Sequence, residues 1–191
     1  NRNQQGDIIS SYAYTYDNNG NQTSKTENGE ITYYTYDNLN RLTSVQYPTA
    51  GIENYTYDNA GNRLSKTNYK AAGGVPTVNI STAYTYDSLN RMTESLTDDI
   101  LLVYKGRTEY QYDSNGNLLT ETTTQLDYAT GQILTTDPET GLPIQPQIKS
   151  YSYNAFNQNI SVTNADGSCQ QNIYDALGLR ISTMENGYRS D

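Results

Sequence analysis

The stretch "YTYDNNGNQTSKT", Tyr14 to Thr26, sets two tyrosines around one threonine, closes with an aspartate, and continues with Asn18, Asn19, Gly20 and Asn21. Large, small polar, large is a period of two, and that is the period of a strand. Both rings then face one way and Thr15 the other. Tyrosine and threonine favour strands. The asparagines and glycine behind them favour turns, because they tolerate left-handed backbone and bond their own chain.

The phrase recurs as "YTYDNLNRLTSVQ" from Tyr34, "YTYDNAGNRLSKT" from Tyr55, "YTYDSLNRMTESL" from Tyr84 and "YQYDSNGNLLTET" from Tyr110. It ends as "YSYNAFNQNISVT" from Tyr151 and "NIYDALGLRISTM" from Asn172, which makes seven copies. The anchors are Asp17, Asp37, Asp58, Asp87, Asp113, Asn154 and Asp175, in steps of 20, 21, 29, 26, 41 and 21. A period near twenty residues decides architecture before any local reading. Three residues and one residue before the anchors stand Tyr14 and Tyr16, Tyr34 and Tyr36, Tyr55 and Tyr57, Tyr84 and Tyr86, Tyr110 and Tyr112, and Tyr151 and Tyr153. The last unit keeps Tyr174 alone. These slots hold 13 of the 20 tyrosines, so the pattern is architectural.

Each anchor ends its strand by accepting backbone N–H bonds in the turn. A second strand follows ("RLTSVQ", "NRLSKT", "RMTESL"), then a second turn, plainest at Asn28-Gly29, Asp166-Gly167 and Asn186-Gly187. Two such strands and two turns take about twenty residues, which accounts for the period. Leu64, Leu119, Ile160 and Ile181 lie six after their anchors, as does Thr23, whereas Leu42 and Met92 lie five after theirs. That spacing reads as two turn lengths, with a β-bulge absorbing the difference. Register stays open: a two-residue turn at Asn28-Gly29 sets Thr23 opposite Tyr34, whereas the same rule at Asp166-Gly167 sets Ile160 opposite Ile173. One of the two loops must differ.

The long steps mark insertions that lengthen loops at 68–79 and 97–107. The largest, 124–149, holds a short hairpin around Gly131 and then Pro138, Pro143 and Pro146, which block strand pairing and make it a loop or an edge. No amphipathic helix survives a count. The expectation is an all-β chain, a serial antiparallel meander of hairpin repeats over 1–191 that curls into a spiral sheet or partial barrel.

Composition agrees. The hydrophobic fraction is 34%, with twenty tyrosines, one phenylalanine and no tryptophan, so tyrosine must supply much of the core. A net charge of −9 and a pI near 4.4 argue against nucleic acid or anionic membrane as partners. Cys169 is alone and forms no internal disulfide. No apolar run approaches the roughly 20 residues a membrane-spanning helix needs. The opening "NRNQQGD" and closing "NGYRSD" read as the ends of a piece cut from a longer protein.

"YTYDNLNRLTSV", "YTYDNAGNRLSKT" and "YDALGLRISTMENG" resemble the YD repeats of the Rhs family, large secreted and wall-associated proteins of bacteria. The resemblance covers nearly the whole chain, most weakly at 124–149. It implies a β-shell like those of the insecticidal toxin complex C component and the teneurins, which in the bacterial toxins encloses a cytotoxic C-terminal domain. It implies a secreted or cell-surface location, and further repeats of the parent chain as partners. "DPETGL" (137–142) only faintly echoes the family's shell-closing segment, so self-cleavage does not follow.

Sharper readings fare worse. Asp17, Asn19 and Asn21, like Asp113, Asn115 and Asn117, match the first ligands of a calcium loop, but position twelve is Asn28 or Thr124 rather than an acid. No metal or other cofactor is expected. Without histidine, a Ser-His-Asp arrangement is impossible, and Asp98-Asp99 or Glu27 with Glu30 are adjacent turn carboxylates, so no catalytic residue is assigned. Surface glycans, stacked on exposed tyrosines in an adhesion module, are the rival reading. Self-association through open end strands is the third.

Overall fold

The structure is a computed structural model that describes residues 11–49, 51–72 and 75–190. No helix forms among them. Two compact units result, Asn1–Ala83 with Asp98–Leu102, and Tyr84–Thr97 with Val103–Asp191. The first unit carries β1 (Tyr12–Tyr16), β2 (Gln22–Glu27), β3 (Glu30–Tyr36), β4 (Leu42–Tyr47), β5 (Gly51–Tyr57), β6 (Arg63–Ala72) and the start of β7 (Val75–Tyr86). The second carries the end of β7, most of β8 (Met92–Asp99), β9 (Tyr104–Tyr112), β10 (Leu118–Leu126) and β11 (Gln147–Tyr153). It continues with β12 (Asn159–Thr163), β13 (Cys169–Tyr174), β14 (Arg180–Glu185) and β15 (Tyr188–Ser190). Within each unit strand order follows chain order, with antiparallel pairing from β1 to β7 and again from β9 to β15. Stability is therefore carried between neighbours, as in other repeat folds.

Every anchor builds the same three-residue loop. Its N–H donates to the carbonyl four residues on (2.9–3.0 Å), and the N–H three residues on donates back to its own carbonyl (3.0–3.2 Å). That third residue is left-handed throughout: Gly20, Gly61, Gly116 and Gly178 at φ 82–94°, and Asn40, Asn90 and Asn157 at φ 59–61°. Glycine and asparagine stand there because other side chains resist this conformation.

The apparent two turn lengths are one. In six hairpins the register slips at the same place, leaving Thr23, Thr43, Leu64, Leu119, Ile160 or Ile181 in a bulge six after the anchor. Leu42 pairs with Tyr36 and takes the tyrosine face, whereas Leu64 occupies the bulge and is exposed. A leucine at position five or six thus selects a face without changing the loop.

The register conflict is resolved too. Asn28-Gly29 and Asn186-Gly187 are two-residue turns with φ of 49–91°. Asp166-Gly167 instead belongs to a loop anchored on Asn164, whose N–H donates to Ser168 O (2.9 Å) while Gly167 N–H donates back (2.9 Å). Thr163 then pairs with Cys169. This is a further copy of the anchored turn, on an asparagine with no Y-x-Y before it.

Two insertions lengthen strands rather than loops. Residues 68–79 lie largely in β6 and β7, and 97–107 in β8 and β9. Their threonine, valine and isoleucine content suits a ladder, and extending a hairpin satisfies the backbone bonds a bare loop would leave open. The segment 124–149 is mostly expelled: β11 returns to pair with β10 from Thr120↔Ser150 to Thr123↔Gln147. It contains the hairpin around Gly131 (Leu134 N–H to Gln125 O, 2.9 Å) and a second turn from Asp137 to Leu142.

The core is thin. Val45 and Leu126 are the buried hydrophobic residues, at 4% and 6% exposure, among those described. Eleven repeat tyrosines, from Tyr34 to Tyr174, are half-buried, so they supply the core that composition assigned to them only in part. Strands packed chiefly on their sequence neighbours leave the ring faces only partly covered.

Candidate functional site

In four repeats the tyrosine one before the anchor reaches back to the preceding repeat. The hydroxyls of Tyr36, Tyr57, Tyr112 and Tyr174 donate to the carbonyls of Gln22 (2.9 Å), Leu42 (2.7 Å), Met92 (2.8 Å) and Asn159 (2.9 Å). Each acceptor lies five residues after the preceding anchor, where the bulge turns a carbonyl out of its ladder. The ring covers apolar surface while the hydroxyl satisfies that carbonyl, which phenylalanine could not do.

Tyr55 and Tyr151, three before their anchors, donate instead to Glu53 and Glu121. Burial, then the adjacent carboxylate, holds both phenols well above the ordinary tyrosine range. Burial pushes Glu53 up, but Tyr55, Lys66 (3.1 Å) and Asn68 (2.9 Å) outweigh it and hold this carboxyl below its usual range. A raised phenol pKa stabilises the fold below the unfolded value of ~10 and loses that contribution as pH rises through the folded value. Ultraviolet titration is therefore expected to show a late class of tyrosines, including Tyr55 and Tyr151, that ionises together with unfolding. A single early transition for all twenty tyrosines would contradict these contacts.

The anchors are turn braces. Asp17 Oδ1 accepts the N–H groups of Asn19 (2.9 Å) and Asn21 (2.8 Å), and its Oδ2 accepts the Asn21 amide (2.9 Å). Asp113 does the same with Asn115 and Asn117, and Asp58 with Asn62. Asp37 and Asp87 take an arginine Nε at 2.7 Å instead of an amide. Where Asn154 is the anchor the polarity reverses: its amide donates to Gln158 Oε1 (2.6 Å). Asp175 keeps only the N–H groups of Leu177 and Leu179, because Leu179 brings no polar side chain. These oxygens, which a calcium ion would need, are engaged by N–H donors.

The Asn21 amide holds the Asp17 carboxyl below its usual range, as Asn62 and Asn117 do for Asp58 and Asp113. The Arg41 and Arg91 backbone N–H groups do the same for Asp37 and Asp87. A depressed carboxyl stabilises the fold above its unfolded value, about 3.9, and that contribution is lost as pH falls through the folded value. The melting temperature is therefore expected to stay level from neutral pH to about 5 and to fall steeply below about 4. A flat profile down to pH 2 would contradict the brace role.

Between repeats the turns interlock in two alternating classes. Asn19 and Asn21 both donate to Asn40 Oδ1 (3.1 and 2.8 Å), and Asn115 and Asn117 both donate to Asn157 Oδ1 (3.1 and 2.9 Å). The next joint differs: Arg41 lies 4.7 Å over the Tyr57 ring and donates to Asp58 O (2.8 Å). Arg91 lies 4.9 Å over Tyr112. On the opposite face, Thr15 bonds Thr23 (2.9 Å) and Ser24 (2.6 Å), Thr56 bonds Ser65 (2.6 Å) and Ser152 bonds Ser161 (2.6 Å). Of the motif residues singled out in sequence, Tyr36, Tyr57, Tyr112 and Tyr174 bond the preceding repeat and the anchors brace their own turns, whereas Tyr14 and Tyr16 stay exposed. The interlocking Asn40, Arg41 and Asn157 were missed, although the alternation of Leu-Asn-Arg with Asn-Gly-Asn turns was visible.

Residues 16–52 match the RHS Repeat family model. No curated protein matches the chain in sequence. Among solved structures, the crystal structure of TcdB2-TccC3-TEV aligns with a TM-score of 0.58 at 17% identity, covering 91% of this chain and 9% of that one. The Photorhabdus luminescens Tc holotoxin pore aligns with a TM-score of 0.51 at 17% identity, covering 93% and 11%. The chain thus spans about a tenth of the solved chains it matches, and the likeness is one of fold. The anchored turn that lies in the matched segment returns at every later anchor, so the likeness to the RHS repeat at residues 16–52 is repeated in backbone form along the rest of the described chain.

Proposed function

We propose that this chain is a non-enzymatic section of the repeat wall of a longer secreted or cell-surface protein, one continuous array that helps enclose or display another domain. The carrying observation is where the repeated residues are spent. Four tyrosine hydroxyls bond the neighbouring repeat, turn asparagines bond the neighbouring turn, and anchor carboxylates brace their own turns. The matched Tc holotoxin chain is about ten times longer, and it is the YD-repeat resemblance that suggests an enclosed toxin domain as the cargo.

The reading is tested on the parent protein by iodinating surface tyrosines and by limited proteolysis. A wall section is expected to keep Tyr36, Tyr57 and Tyr112 protected and to shield a downstream domain from protease until the wall is unfolded. Rapid iodination of those three rings, or specific glycan-array hits lost on mutating them, would overturn it in favour of an adhesion module.

A further inference from the structure

The turns anchored on Asn154 and Asp175 lie side by side in the second unit, tied by Gln158 Nε2, which donates to Gly178 O (3.2 Å). Between them opens a cleft of about 390 Å³, lined by Phe156, Gln158, Tyr174, Asp175 and Leu177 among others. Phe156 and Leu177 stand two residues after their anchors, at the turn tips, and are 83% and 85% exposed. Leu39 and Leu89 hold the same position in earlier repeats and are exposed as well. The exposure therefore belongs to the position in the turn.

Asp175 differs from the other anchors in one atom. In each of the six other repeats the residue four after the anchor engages the anchor's second side-chain atom: Asn21, Arg41, Asn62, Arg91, Asn117 or Gln158. Leu179 stands there in the seventh and brings no donor. Both N–H bonds to Asp175 go to Oδ1, so among the described residues none donates to Oδ2.

A carboxylate oxygen without a donor, in a cleft shared with an exposed aromatic ring and an exposed leucine, suits a cation on an apolar stem. The chain makes that arrangement for itself elsewhere. Arg41 and Arg91 donate to Asp37 and Asp87 Oδ2 at 2.7 Å, and their guanidinium groups lie 4.7 and 4.9 Å over the rings of Tyr57 and Tyr112. At Asp175 the carboxylate and a ring are present and the guanidinium is not. A sugar fits less well, because the two amides that would read its hydroxyls are spent. Asn154 donates to Gln158 Oε1 (2.6 Å), and Gln158 donates to Gly178 O. The net charge of −9 also favours a cationic partner.

We propose that this cleft is a docking site for an arginine of a partner protein, presented between apolar residues on an exposed segment. The guanidinium donates to Asp175 Oδ2 and lies against Phe156, and the flanking apolar groups pack on Leu177. Phe156 and Leu177 take no part in the strand joints on which the wall reading rests, so the docking site can fail while that reading stands.

The test is NMR of the whole chain labelled at phenylalanine, since Phe156 is the single phenylalanine and its ring gives one unambiguous signal. The probe is the acetylated, amidated peptide Gly-Leu-Arg-Leu-Gly, and the control carries glutamine in place of arginine. The arginine peptide is expected to shift the Phe156 ring with a Kd of about 1 mM, and the glutamine peptide to bind about tenfold more weakly. Asp175→Asn keeps a workable anchor, as Asn154 shows, and is expected to weaken the arginine peptide about tenfold. Leu179→Arg is expected to fill the Oδ2 position from within the turn, as Arg41 does at Asp37, and to abolish the shift. Equal shifts from both peptides, no shift from either at about 10 mM, or undiminished binding to Leu179→Arg overturns the proposal. Phe156 shifts from cellobiose that survive Asp175→Asn make the occupant a sugar, and a concentration-dependent dimer that Phe156→Ala abolishes makes it a second copy. Either result also overturns it.

Discussion

Gly51→Ala is expected to be the most damaging single methyl in the chain. Gly51 opens β5 with φ 98°, a left-handed conformation that costs other residues about 1–3 kcal/mol. An added Cβ would also lie 1.9 Å from Tyr69 O and 3.2 Å from Lys70 Cα, in the backbone of β6, the strand that pairs with β5. Backbone cannot rotate aside, so β5 and β6 must part or shift. Strain and overpacking together are expected to cost about 3 kcal/mol or more, a fall in melting temperature of roughly 10 °C for a chain of this size. Gly61→Ala is the control. It shares a positive φ of 94° but has open space around it, so only the backbone term of about 1 kcal/mol remains. Equal melting temperatures for the two variants would show that the β5–β6 approach is looser than described.

Tyr57→Ala is the second large effect. It removes a half-buried ring, the bond to Leu42 O and the platform under Arg41, and leaves that carbonyl without its partner. A loss of about 2–3 kcal/mol is expected from burial and the unmet acceptor together. Tyr57→Phe keeps the ring and loses about 1 kcal/mol, the net worth of one hydrogen bond. Chemical denaturation of the three proteins separates the terms. If Phe is as harmful as Ala, the hydroxyl carries the joint; if Phe is neutral, packing carries it alone.

Much of this was legible because the governing patterns are local. Tyr34, Thr35 and Tyr36 alternate faces as strand residues must, and Asn28-Gly29 reads as a two-residue turn because both positions need positive φ. The bulge was legible as a need but not as a place. Leu42 and Leu64 looked like evidence of two loops, because which of positions five and six is skipped depends on the partner strand's register. The insertions misled for a related reason. The long steps between anchors suggested loops at 68–79 and 97–107, but pairing across the hairpin draws most of these residues into strands.

Anchors, strand direction and serial order belong to the sequence alone, since residues within about five positions set strand period and turn conformation. Only the tertiary structure decided what the repeats say to one another. Asn21 and Asn40 are 19 residues apart, and Arg41 and Asp58 are 17 apart. Their bonds exist because the ladder first brings successive turns side by side, and no local propensity reports a partner that distant.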